Sequence, residues 1–442
     1  MRYSAMRQKI ASWSAGLVML FASQFVHANL VIEITEGFEN AIPIAVVPFS
    51  VEGRGAAPQD VGEIIQNNLR RSGRFAPVAT NRLPQRPVTL DGVIFEQWQR
   101  LDVDHLIMGQ LSLRPDGSYD IDVRLVDVLR RQQIIGKRYQ QIPANLLRQA
   151  AHQISDELYY ELTGVWGAFN TRLAYVTVRE QGNERNYSLD VSDSDGHNPR
   201  TILRSRMPIM SPRWSPDGRH IAYVSFEAGR SIIVLQSLDG SQREVLAEFN
   251  GINSTPVWSP DGRQMAMTLS KDGSANLYIM NLANRQLRQV TNHPAIDTEP
   301  SWSPEGDALY FNSDRRGQPQ IFKLDLATNV VTRVSFEGRY NASPMVSPNG
   351  RHLAMVHANN GFNIGIMDLS NGDFRQVTRT SLAESPSFAP NSDMLVYATN
   401  NRGRGELAVI SVDGRASQVL RVQDGQVREP AWGPYLTPPR MR

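Results

Sequence analysis

No cysteine occurs among the 442 residues. That excludes disulfides, thiolate nucleophiles and cysteine metal sites, and it suits an oxidising compartment where stray thiols are a liability. Past the first 28 residues, no run approaches the roughly 18 apolar residues of a membrane-spanning helix. There is no G-x-S-x-G elbow, H-E-x-x-H, P-loop or dinucleotide fingerprint. No dense Lys/Arg block and no basic-aromatic interleaving is present, so nucleic acid is not an expected partner. His352 and His357 lie five apart across an expected strand, hence on opposite faces, and cannot share a metal. Neither a metal nor a cofactor is expected.

What is there is a repeat. Two prolines four residues apart recur six times: SPRWSPDG from Ser211, TPVWSPDG from Thr255, EPSWSPEG from Glu299, SPMVSPNG from Ser343, SPSFAPNS from Ser385 and EPAWGPYL from Glu429. The second proline falls at 216, 260, 304, 348, 390 and 434, giving steps of 44, 44, 44, 42 and 44. A fixed period of this length means one supersecondary unit per repeat, stacked so that each buries its neighbour's face.

The first 28 residues read as a cleaved secretory signal. Arg2, Arg7 and Lys9 open it, Leu17 to Phe21 is its apolar centre, and Val26-His27-Ala28 precedes the expected cut. The competing reading is an N-terminal anchor. The expected location is outside the cytoplasm. Without this segment, 43 basic residues face 44 acidic ones.

Residues 29–165 do not share the repeat and read as a small α/β domain. Ile42 to Phe49 is a buried strand, Pro58 to Ser72 a helix capped by Asp60 and stopped by Gly73, and Phe75 to Ala79 a second strand. Asp91 to Leu101 reads as a helix. His105 to Leu113 and Tyr119 to Leu129 are strands joined by Pro115-Asp116-Gly117, Gln132 to Gln140 is another, and Ala144 to Leu162 is a helix stopped by Gly164.

Over 170–442 each repeat supplies four short strands, as in a propeller blade. Ser-Pro-Asp-Gly is a tight turn: Pro presets φ, Asp caps, and Gly takes φ > 0. An apolar strand follows, then a Gly-containing loop, a third strand, a second tight turn and a fourth strand. The first apolar strand, at Leu173, has no Trp segment before it, and the last Trp segment, at Trp432, has no full blade after it. The two therefore pair and close a ring of six blades, which removes open sheet edges. An open solenoid is the alternative.

Strands alternate in direction, so both tight turns of a blade lie on one rim. The Gly loops and the loops entering each Trp segment lie on the other. The chain enters and leaves near the tight-turn rim, so the α/β domain attaches there and the loop rim is free for a partner. Trp214, Trp258, Trp302 and Trp432 stay in phase with the turn, which favours packing between blades over an aromatic binding box. The turn Asp is a cap rather than a calcium or catalytic group, since Glu305, Asn349 and Asn391 replace it.

WSPDG repeats in six blades, behind a small α/β domain and a signal segment, resemble the TolB family, the periplasmic component of the Tol-Pal system of Gram-negative bacteria. Ser274 to Ala283 with Arg288 to Thr291, and the ending Pro430 to Leu436, sharpen the resemblance. WSPDG alone is shared with propellers of prolyl oligopeptidase-type enzymes, whose hydrolase domain is absent here. The resemblance implies a non-enzymatic adaptor with two partner sites. The loop rim would bind the lipoprotein Pal through Ile252, Asn253, Thr255, His293, Thr298 and Glu299. Ile252 stands where related sequences can carry histidine. The leader Leu30, Val31, Ile32, Glu33 and Ile34 would bind TolA, adding to it as an extended strand. The leader's other reading is an edge strand of the α/β domain or a flexible leader. Bacteriocin or phage peptides could share the Pal rim. A propeller taking a small ligand or acting as a hydrolase at its central channel is the alternative class.

Overall fold

The computed structural model describes residues 30–34, 41–53, 56–422 and 425–439. The expected signal segment lies outside the described residues.

The α/β domain is built on one six-stranded sheet. The strands Phe75–Pro77, Ile42–Val46, His105–Leu113, Tyr119–Asp127 and Gln132–Ile142 are neighbours in that order, and Ser50–Glu52 extends the pairing with His105–Leu113. The first three run parallel and the last three antiparallel. Helices α1 (Val61–Arg71) and α3 (Leu147–Thr163) cover one face through Ile65, Leu69, Ile154 and Leu158, packed on Ile44, Val46 and Ile107. Residues of opposite parity, Ala45, Val47, Leu106 and Met108, bury against Trp98 on the other face. As expected, the Asp60 carboxylate accepts the Glu63 N–H at 2.9 Å and caps α1.

The helix expected over Asp91 to Leu101 is shorter. A 3-10 turn takes Leu90–Gly92, and α2 spans only Phe95–Gln99. Gln85 Oε1 accepts both the Ile94 N–H and the Trp98 indole N–H, so a side chain from the preceding loop fixes this segment where the reading from periodicity extended the helix. Ser50–Glu52 and the 3-10 turn Ala144–Leu146 were not anticipated.

The six blades are as the repeat requires. The inner strands Ile209–Trp214, Asn253–Trp258, Asp297–Trp302, Tyr340–Val346 and Ala383–Phe388 open blades 2 to 6. Gln426–Trp432 pairs antiparallel with Arg172–Gln181 and closes the ring inside blade 1. The Trp side chains pack between blades: Trp214 Nε1 donates to the Ala431 carbonyl and Trp302 Nε1 to the Val257 carbonyl, each on the preceding blade. In the turns, the Asp217 carboxylate accepts from the Ser215 hydroxyl and the Arg219 N–H, and Asp261 repeats this with Ser259 and Arg263.

The leader Leu30–Ile34 is a strand, but an edge strand of the propeller rather than of the α/β domain. It pairs antiparallel with Ser417–Val422, from Leu30 opposite Val422 to Ile34 opposite Gln418, as a fifth strand of blade 6.

The α/β domain sits on the tight-turn rim, over blades 6 and 1. Tyr159 donates to Asp393, Asn391 to the Trp166 carbonyl, and Arg148 pairs with Asp195. Gly73, with φ +70°, lies so near Ala416 that a Cβ on it would meet the Ala416 Cβ at 1.9 Å.

Candidate functional site: the loop rim of the propeller

The rim opposite the α/β domain carries the entering loops. Along each inner strand two positions before the first proline have distinct roles. The residue just before it is left-handed in all six blades: Ser211, Thr255, Glu299, Ser343, Ser385 and Glu429 have φ between 48° and 56°. No glycine occupies this ring, and proline follows each member, so every blade holds local strain of about 1 kcal/mol. The ladder register shifts at each of these points. Hydrogen bonds between blades hold part of the ring. The Glu299 carboxylate accepts from the Ser343 N–H and hydroxyl, and Glu429 accepts from the Ser211 N–H. Burial raises the Glu429 carboxyl above its usual range although Arg213 opposes this, and burial likewise raises Glu384.

Three residues before the proline, the side chain is buried. Blades 2, 6 and 1 have Ile209, Ala383 and Val427 there; blades 3, 4 and 5 have Asn253, Asp297 and Asn341. The two asparagines tie down their own entering loops, and the aspartate ties its strand to the loop after the next strand. Asn253 accepts from the Phe249 N–H and donates to the Phe249 carbonyl. Asp297 is wholly buried and paired twice with Arg315, at 2.9 and 2.7 Å, while the guanidinium lies on the Phe311 and Phe322 rings. Asn341 donates to the Glu337 carbonyl and to Gln320 Oε1. A buried polar group that is fully bonded fixes one conformation, because the alternatives leave it unsatisfied.

Above these ties stand exposed apolar side chains. Met207 and Met210 are on blade 2, Ile252 on blade 3, Ile296 on blade 4, and Phe336 and Phe362 on blade 5. Among the described residues, the loop rims of blades 6 and 1 carry no large exposed apolar side chain.

The expected contact residues divide accordingly. Ile252 is half-exposed, while Thr298 and Glu299 are partly exposed. Asn253 and Thr255 are buried, so Asn253 acts beneath the loop and Thr255 within the channel wall. His293 is partly buried, and its Nδ1 accepts the Ala295 N–H at 3.0 Å, which shapes the loop. Asp297, Asn341, Ile296 and Phe336 lie outside the expected set of contact residues. Superposing the six copies of the repeat would have exposed the switch from Ile, Ala and Val to Asn, Asp and Asn.

One other cluster joins the domains. His152, Asp193 and Asp195 present ligand atoms within 4.8 Å of one another, a spacing a metal could use. The hydrogen bonds argue against it. The Ser155 hydroxyl donates to the Ala151 carbonyl, so it can only accept from Asn68 Nδ2, which also donates to His152 Nδ1. The ring proton of His152 is therefore on Nε2, facing Asp195 at 3.6 Å. Arg148 contacts both carboxylates. Burial pushes the His152 imidazolium down to about 3, so the ring is neutral. This is an ion network between domains.

A six-bladed propeller, closed on itself, carrying an α/β domain on its uniform rim and shaped loops on the other, defines a class of propeller binding proteins. Family models match both parts: the TolB amino-terminal domain over residues 30–134 and the TolB beta propeller domain over 159–436. The chain is 60% identical over 432 residues to the Tol-Pal system protein TolB of Hydrogenovibrio crunogenus, covering 97% of this chain and 99% of that one. It is 62% identical over 414 residues to the protein of the same name from Thioalkalivibrio sulfidiphilus, covering 92% and 94%. The crystal structure of TolB from Acinetobacter baumannii superposes with a TM-score of 0.85 at 39% identity, over 92% of this chain and all of that one. The chain belongs to the TolB family. It is a Tol-Pal system protein.

Proposed function

We propose that the chain is a periplasmic adaptor that binds the lipoprotein Pal through the loop rim and TolA through its leader. In this role it supports outer-membrane integrity and invagination during cell division. The observation that carries the reading is the loop rim itself. It faces away from the α/β domain and presents Ile252, Ile296 and Thr298 on loops tied by the buried Asn253 and by Asp314, which accepts the Ile296 N–H. Rigid loops with exposed apolar tips lose little entropy on docking. The basic start and short apolar centre of the first 28 residues support export to the periplasm.

The leader's pairing with blade 6 uses the backbone groups that a partner strand would need. TolA and blade 6 therefore compete for it, and Pal binding at the rim shifts that competition. Bacteriocin or phage peptides would compete with Pal for the same rim.

Calorimetric titration of residues 29–442 with the cognate Pal periplasmic domain tests the reading. Tight 1:1 binding that Thr298→Arg weakens is expected. No binding between two folded proteins would refute it and favour a ligand of the central channel. Equal TolA affinity with and without Pal would refute the coupling.

A further inference from the structure

We propose that the aromatic face of blade 5, formed by Phe336, Tyr340 and Phe362, is a second anchor of the partner site, fitted to a protein surface with an apolar patch edged by carboxylates. The proposal rests on the loop rim being the partner site. It adds the loops of blade 5, whereas the expected contact residues all belong to blades 3 and 4.

Phe336 is 68% exposed, the most exposed large apolar side chain among the described residues. An exposed phenylalanine on a mobile loop would say little. This loop is bound at every turn. Ser335 is buried and donates to Gln320 Oε1 at 2.7 Å, and its side-chain oxygen also accepts the Ile321 N–H. Asn341 reaches the same Gln320 oxygen and the Glu337 carbonyl. The Asn341 Oδ1 meets His357 Nδ1 at 2.9 Å, and the His357 ring packs 4.8 Å from Phe374. The Arg333 guanidinium lies 5.0 Å from the centre of the Phe336 ring. Beside this loop, Phe362 meets Tyr340 edge-on at 5.6 Å and remains 41% exposed. The side chains are thus held in place before any partner arrives, which is the condition for a binding hot spot.

Charge selects the occupant. Arg316, Arg333 and Arg339 share this part of the rim with Asp314 and Glu337. Arg315 is paired with Asp297, and Asp314 keeps its charge while accepting the Ile296 N–H, so three cations stand against two carboxylates. The surplus is positive, so a partner whose apolar patch is edged by carboxylates is favoured over one edged by cations. Exposed apolar side chains stand on four consecutive blades, Met207 on blade 2, Ile252 on blade 3, Ile296 on blade 4 and Phe336 with Phe362 on blade 5.

The test is calorimetry and surface-binding kinetics of the full mature chain with the cognate Pal periplasmic domain. Phe336→Ala and Phe362→Ala are expected to weaken binding about tenfold or more each, mainly through faster dissociation. Arg316→Glu with Arg339→Glu is expected to slow association and flatten its salt dependence. All three should melt as the wild type does, and Leu129→Ala, an exposed apolar change on the α/β domain, should bind as the wild type. Wild-type affinity in both phenylalanine variants, with Thr298→Arg still disruptive, would overturn the proposal while leaving the rim as the Pal site. No Pal binding by the wild type would overturn both. A wild-type dimer in sedimentation velocity that Phe336→Ala dissolves would also overturn it, by assigning the face to a second copy.

Discussion

The two rims of this propeller are built from the same strands but obey different rules. On the tight-turn rim one short device recurs in blades 2, 3 and 5, a serine hydroxyl donating to a carboxylate or amide oxygen two residues on. Blade 4 keeps the serine but turns to Asp307, and blade 6 has Ala389 in its place. On the loop rim each blade solves its connection separately. Blades 3 to 5 do so with buried Asn253, Asp297 and Asn341, and blades 6, 1 and 2 with apolar residues. The uniform rim carries the α/β domain. The varied rim is where specificity can reside, because a change in one loop leaves the turn chemistry untouched.

Removing a tie on the varied rim should have the largest effect. Asp297→Ala leaves Arg315 buried without its partner and is expected to cost about 3–5 kcal/mol, read by chemical denaturation. An unchanged midpoint would mean that the pair does not hold the loop, and the contrast between rims would collapse. The uniform rim should respond to pH through its ion network. His152 is held neutral when folded and protonates near its ordinary range when unfolded. Its contribution is complete above about pH 6.5 and is lost as pH falls toward about 3, with a slope of about 1 kcal/mol per pH unit. The stability gap between the wild type and His152→Gln should therefore narrow below pH 6.5, and a constant gap would contradict the neutral ring. The smallest effect belongs to a single turn. Ser259→Ala removes the hydroxyl that accepts the Gln264 N–H and donates to Asp261, and should cost about 1 kcal/mol while leaving partner affinity unchanged. Lost Pal affinity in that variant would show that the rims are not independent.

The Trp segments and Asp-Gly turns recur along the chain, so blade number and ring closure could be read by counting. The rim that carries the α/β domain followed from strand direction. The contact residues were less legible. Ile252 and Thr298 reach the surface, but Asn253, an ordinary polar loop residue in the sequence, is fully buried. The role of Asp297 depends on Arg315, which lies beyond the next strand, and no local pattern announces the pair. The short α2 helix was overextended for the same reason: Gln85 fixes it from outside the segment.

The sequence by itself determined the six blades, their closure, the turn chemistry and the separate α/β domain, because periodicity and turn propensity are properties of neighbouring residues. Only the tertiary structure decided that the leader lies on blade 6, where Leu30 meets Val422. It alone left Met207, Ile252, Ile296 and Phe336 exposed on the same rim of four consecutive blades. Those outcomes depend on which distant segments share a surface, and that is settled by packing across the whole ring rather than within any single repeat.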